Sequence, residues 1–214
     1  MTDKLSLYNG ALRELGERRL KNLSENREPR HILDNVWDNN AVKRCLQKGQ
    51  WNFATRAMKI TATPSVSPDF GFQYAVEKPS DWVRTVGVCV DEYFDQTLRQ
   101  YRDEAGYWWS DREDIYVRYV SNDPQYGMDF SLWPDNFTHY VECYIALKAI
   151  KRLTHAATDK DDLEKDTKAA LHEAKTTDAM DDKHPELPPG SWSQSRQGHG
   201  SARRDGGNRN SLYG

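Results

Sequence analysis

The chain has 214 residues, room for one domain of ordinary size plus an appendage, and 37% of them are hydrophobic. Even with glycine counted, the apolar share stays below the roughly 45–50% of typical globular chains, so the core is expected to be thin, as in proteins that complete their burial in an assembly and equally in domains that carry a polar tail. A net charge of −3 excludes a general nucleic-acid binder, which would be strongly basic.

Residues 3–49 read as helical. Leu5, Tyr8, Leu12 and Leu15 recur at steps of three and four, and Gly16 stands where a helix would close. A second helix is expected from about Asn26, with Pro29 in its first turn and a stripe of Leu33, Val36, Trp37, Ala41 and Cys45; Gly49 would end it. Residues 51–121 change period. Met58, Ile60 and Ala62 alternate with polar residues, as do Phe72, Tyr74 and Val76, then Val86, Val88 and Val90, then Ile115, Val117 and Tyr119. Turn signals at Pro64, Pro68, Pro79 and Asp103-Glu104-Ala105-Gly106 separate them, so a small antiparallel sheet is predicted, with a hairpin placing Trp108 and Trp109 near its turn.

Residues 135–180 return to helix. From Phe137 to Leu153 the chain is apolar almost all round, which predicts a helix buried on most sides. An acidic helix follows, with a narrow stripe at Leu163, Thr167, Ala170, Leu171 and Ala174; its acids are expected to form a solvated face. Residues 183–214 are rich in Gly, Ser, Arg and Asn and carry +3, leaving −6 on the rest of the chain. Alone such a segment cannot offset its ordering entropy, so it is expected to order only along a partner. The fold class predicted is α+β, mainly helical: an antiparallel helix bundle with an inserted antiparallel β domain (1–182) and an extended C-terminal arm (183–214).

Few residues point to covalent chemistry. No phosphate-cradling glycine loop occurs. Gly198-His199-Gly200-Ser201 lacks the strand and helix of a nucleophile elbow. His139 and Cys143, four apart, form half of a zinc site without a second pair at a recognisable spacing. Asp159 to Glu164 lacks the glycine that a calcium loop requires at its sixth position. Cys45, Cys89 and Cys143 are too far apart and too few for a disulfide framework. The polar start, Met1 to Ser6, and the lack of an apolar run of membrane-spanning length predict a chain made in the cytosol. No catalytic residue, cofactor or metal is predicted.

Three stretches carry a likeness when taken in order: Leu7-Tyr8-Asn9-Gly10-Ala11-Leu12-Arg13-Glu14-Leu15-Gly16, then the helix ending in Gln50-Trp51-Asn52-Phe53-Ala54, then Lys78-Pro79-Ser80-Asp81-Trp82-Val83-Arg84. With the order helix, helix, sheet, long helix, helix, residues 5–175 resemble the head-to-tail adaptor family of tailed bacteriophages, the tail tubular protein A-like family. The resemblance implies a structural virion protein, not an enzyme, located at the head–tail junction. Copies would form a ring, usually of twelve, docked under the portal protein. The ring would extend the channel for genomic DNA and carry the downstream tail proteins (nozzle or fibre). On that reading Trp192, Arg196, Arg203, Arg204, Arg209 and Tyr213 of the arm would meet the portal or a neighbouring copy. Trp108 and Trp109 would meet the next tail component or pack in the sheet, and Asp161, Asp162, Glu164 and Asp166 would line the channel. The alternative is a nucleic-acid-binding packaging accessory acting through the basic arm.

Overall fold

The computed structural model describes residues 3–66, 68, 71–153 and 157–181. The expected arm, 183–214, lies outside the described residues, and so do its six contact residues.

Helix α1 spans Lys4–Glu14. It begins with a capping box: the Ser6 amide donates to the Asp3 carboxylate at 2.6 Å, and the Asp3 amide donates to Ser6 Oγ at 2.9 Å. Gly16, at φ +69°, ends it. That left-handed turn lets the Gly16 amide reach the Arg13 carbonyl and the Glu17 amide reach the Leu12 carbonyl. Leu7, Tyr8, Ala11 and Leu12 are fully buried, with Leu5 and Leu15 at the margin of that face.

The single helix expected from Asn26 to Gly49 is two, α2 (Glu28–Asp38) and α3 (Ala41–Leu46). The break falls at Asn40, whose φ of 60° and ψ of 40° are left-handed. Asparagine tolerates that region better than most residues. The turn lets Ile32 and Leu33 of α2 and Val42, Cys45 and Leu46 of α3 enter one core. Tyr8 donates to the Asp34 carboxylate at 2.8 Å and ties α1 to α2. Trp51 closes α3, its indole N–H donating to the Cys45 and Leu46 carbonyls.

The β region holds two sheets rather than one. The first has the order β1 (Thr55–Thr61), β6 (Asp114–Ser121), β3 (Trp82–Cys89); the second has the order β2 (Tyr74–Glu77), β5 (Tyr107–Ser110), β4 (Tyr101–Glu104); every pairing is antiparallel. Phe72 lies outside β2. The strands β4 and β5 have four residues each, too short to show an alternation, and join through Ala105 and Gly106, both at positive φ. One face of the first sheet (Val88, Ile115, Val117, Tyr119) packs on Val76 and Trp108 of the second. Val83 and Val120 of the first sheet join the helical core instead. The first sheet is therefore a middle layer with both faces used.

Helix α4 (Asp135–Leu153) buries Phe137, Tyr140, Val141, Cys143, Ile145, Ala146, Ala149 and Ile150. The exclusion of water around almost its whole circumference matches the all-round apolar reading. Helix α5 (Ala157–Asp181) runs back along it, with Asn136 bonded to Thr177 at 2.9 Å near one end. Its buried residues Leu163, Thr167, Ala170 and Ala174 are the narrow stripe expected.

The segment from Lys78 to Arg84 joins the layers. Lys78 pairs with Asp103 of β4 and lies 3.6 Å from the Trp82 ring centroid, with its side chain only 8% exposed. Asp81 accepts from Ser121 Oγ at 2.6 Å, Arg56 Nη1 at 3.1 Å and the Tyr119 hydroxyl at 3.1 Å. Arg84 donates to the Gln47 carbonyl beyond the end of α3 at 3.2 Å. Burial works against the Asp81 carboxylate, but the bonds from Ser121, Arg56 and Tyr119 outweigh it, and the group titrates below its ordinary 3.8. A depressed folded pKa gives stability that is present above the unfolded value and lost as pH falls towards the folded one. Asp81→Asn is expected to cost about 2–3 kcal/mol near neutral pH and to flatten the acid limb of stability below about pH 4. Urea unfolding followed across pH checks both; an unchanged acid limb would show that Asp81 is not the group responsible.

Candidate functional site

The surface chemistry gathers along the α4–α5 pair. On one side, α2, α3 and α4 enclose a groove of about 280 Å³. Its floor is apolar (Ile32, Val36, Ala41), and Arg44, Lys148 and Arg152 stand around it with Asn35, Asn39 and Tyr144. Lys148 lies 5.2 Å from the Tyr144 ring centroid. A second groove of about 460 Å³ continues between α4 and α5, lined by Leu147, Lys148, Lys151, Lys160 and Glu164. Among the described residues no carboxylate comes within ion-pair distance of Arg44, Lys148, Lys151 or Arg152. This side of a net-acidic body is thus a basic strip.

Acids gather where α1 meets α4 and along the other flank of α5. Burial raises the pKa of the Cys143 thiol to about 12, with the charges of Glu14, Glu142 and Asp166 adding to the rise. Arg13 bonds both Glu14 (3.1 Å) and Glu142 (3.2 Å). The Glu142 carboxyl fills the space beside Gly10 where a Cβ would stand, 2.0 Å from its Cδ, so a larger residue at position 10 would have to displace that carboxyl. Burial raises the Glu142 pKa, with Arg13 and His139 working the other way. Asp162 and Glu173, four residues before and seven after Asp166, fall on the same flank of α5.

The expected site residues land in different places. Trp108 is fully buried in the second core, and its indole N–H donates to Thr85 Oγ1 at 3.1 Å. It offers no surface to a tail component; this corrects the interface assignment, because alternation along β5 turns Trp108 inward. Trp109 points to the other face of that sheet, partly exposed, with its N–H on the Glu104 carbonyl and Tyr107 5.7 Å away. Of the four acids expected along a channel, Asp161, Asp162 and Asp166 are exposed and Glu164 is half-buried against the second groove. They do not form one wall. Helical spacing puts Asp162 and Asp166 on one flank and Asp161 and Glu164 on the other, where Lys168 pairs with Glu164 at 3.4 Å.

His139 and Cys143 do adjoin, at 3.7 Å from ring nitrogen to sulfur. Burial raises the pKa of the Cys45 thiol to about 12 as well. Thiols so hard to ionise are poor nucleophiles. Among the described residues no group of three or more His, Cys, Asp or Glu side chains is placed to hold a metal ion, and no helix is long and apolar enough to cross a membrane. The basic strip escaped the sequence reading. Its signal was present in Lys148-x-x-Lys151-Arg152, the only lysines and arginine of α4. Arg44, from α3, joins them only through the fold. No family model matches the chain, and no curated protein matches it in sequence.

Two outcomes follow from this geometry. Trp108→Ala is expected to cost about 3–5 kcal/mol and Trp109→Ala less than about 1 kcal/mol in thermal unfolding; equal costs would contradict the inward turn of Trp108. For Glu142, a folded pKa above the ordinary 4.5 means that stability is fully present below that value and is lost as pH rises through the folded one. Glu142→Gln should therefore melt closer to the wild type at about pH 4 and above it at about pH 8.

Proposed function

We propose that this chain is a structural part of a tailed-phage virion, the adaptor that docks beneath the portal and joins head to tail. The observation that carries the reading is the placement of the three stretches of resemblance. Leu7 to Gly16 is a helix closed by glycine. Gln50 to Ala54 is the joint between α3 and β1, where Trp51 caps the helix. Lys78 to Arg84 is the clip between the layers. Each stretch does a structural task at the joint between two elements, and the β unit is inserted between α3 and α4 as the family's order of elements implies.

On this reading the helices are an antiparallel bundle, the sheets are an inserted domain, and residues 183–214 are an arm that binds the portal or a neighbouring copy through Trp192, Arg196, Arg203, Arg204, Arg209 and Tyr213. Copies close into a ring, by the family's pattern of twelve, and the ring extends the channel through which genomic DNA passes without specific binding. Its far side carries the next tail protein, with Trp109 and Tyr107 as the aromatic surface available to it. The role is assembly in the virion, not covalent chemistry. A thin core with two charged flanks supports it, because a ring subunit must present two different patches.

Light scattering on a sizing column, with the full chain alone and with the portal of the same phage, tests the reading. The full chain is expected to join the portal in a ring-sized complex, and a chain ending at Asp182 to join it at least tenfold more weakly, since the arm supplies a tethered second contact. If neither chain associates with the portal and the full chain binds duplex DNA in a salt-dependent way, the packaging-accessory reading replaces it.

A further inference from the structure

We propose that the two flanks of the α4–α5 pair are the two halves of one contact between copies, in which the acidic flank of α5 in one copy seats on the basic groove of the next. This rests on the ring reading and names the surfaces that would close the ring.

The argument starts from spacing. On α5, Asp162 and Asp166 are one turn apart and Glu173 is two turns further along the same flank. On α4, Lys148 and Arg152 are also one turn apart. Both pairs therefore sit about 6 Å apart along their helices, so an acidic pair can face a basic pair in register. Arg44 extends the basic side, and the apolar floor beneath it gives a helix something to rest on.

The two signs lie on different flanks of one chain. Helical spacing puts Asp162, Asp166 and Glu173 on the flank of the buried α5 stripe away from Lys160 and Glu164. The cations lie on the α2–α3 side, and Lys160 and Glu164 of α5 mark that boundary. Among the described residues Asp162 is paired only with Lys165 of its own helix, exposed and at 2.9 Å, Asp166 and Glu173 have no cation within ion-pair distance, and Arg44, Lys148 and Arg152 have no carboxylate. Complementary patches on different flanks of one subunit make a contact that repeats head to tail, and it closes if the rotation permits. A second copy suits the groove better than nucleic acid does, because a duplex lying on the groove would also approach a body of net charge −6.

The test is a charge swap in the full-length chain, read by light scattering and by circular dichroism to confirm that each variant is folded. The variant Lys148→Glu/Arg152→Glu carries two acidic flanks, and Asp162→Lys/Asp166→Lys carries two basic ones. Each alone should assemble, by itself or on the portal, at least about a hundredfold more weakly than wild type. Mixed in equal amounts, they should assemble again as alternating copies. Wild-type assembly should also weaken between about 0.1 and 0.5 M salt. Single variants that assemble like wild type on the portal would overturn this contact and leave the adaptor reading standing. So would a mixture that stays apart. A wild type that joins neither itself nor the portal would overturn both. If instead the Lys148/Arg152 variant loses affinity for a short DNA duplex and mixing restores nothing, the groove is a nucleic-acid site and the copy-to-copy contact is wrong.

Discussion

Seven residues, Lys78 to Arg84, hold three layers in register. The Lys78 ammonium sits between the Trp82 ring and the Asp103 carboxylate and ties the second sheet to the first. The Asp81 carboxylate draws Arg56 of β1 and Tyr119 and Ser121 of β6 to the start of β3. Arg84 reaches the last turn beyond α3. Charged groups this enclosed are costly unless every partner is present, so the segment enforces one arrangement and penalises slips. The sheet between the helices and the second sheet keeps its register because a one-residue shift would turn Tyr119 and Val117 away from their core.

Aromatic rings do the corresponding work on the helical side. Phe137 of α4 is within 4.7–4.9 Å of Trp51, Phe53 and Trp133, and the series continues through Phe130 to Trp37 and Tyr8. Edge-to-face contacts of this kind add to area burial. They explain how a chain with so few aliphatic residues builds a core: its rings fill the volume that leucine and isoleucine fill elsewhere. The loop before α4 can join that series because Gly127 lies against the Ser121 carbonyl, where a Cβ would be 2.1 Å from the oxygen, and its own carbonyl accepts the Trp133 N–H.

What was legible in the sequence follows from range. Helices with long apolar periods, α1, α4 and α5, were readable because each buried face repeats several times. The glycine stop of α1 and the Ala105-Gly106 turn were readable because backbone conformation names its residue there. The break at Asn40 was not, since an Asn-Asn pair inside a helical stripe is only a weak signal. The second sheet was missed because its strands are four residues long and β2 finds its partner β5 thirty or more residues away. Trp108 and Trp109 look alike as neighbours in sequence and differ only in the side of the sheet they take. The basic groove was invisible for a related reason: Arg44 and Lys148 lie on different helices, more than a hundred residues apart.

That separation bears on how the chain reaches its native state. The helical core is drawn mainly from two stretches, 4–54 and 133–174, divided by the β unit, which adds Val83 and Val120. Contacts between α1 and α4 close a loop of well over a hundred residues, and long loops slow the search for native pairing. A β unit that forms first, with its own core around Trp108 and Tyr119, brings the end of α3 and the start of α4 to one place and shortens that search. An insertion that folds first would act as a template for the helices on either side of it. Damage to the second core would then appear as slow or aggregation-prone folding before it appeared as lost stability of the helices.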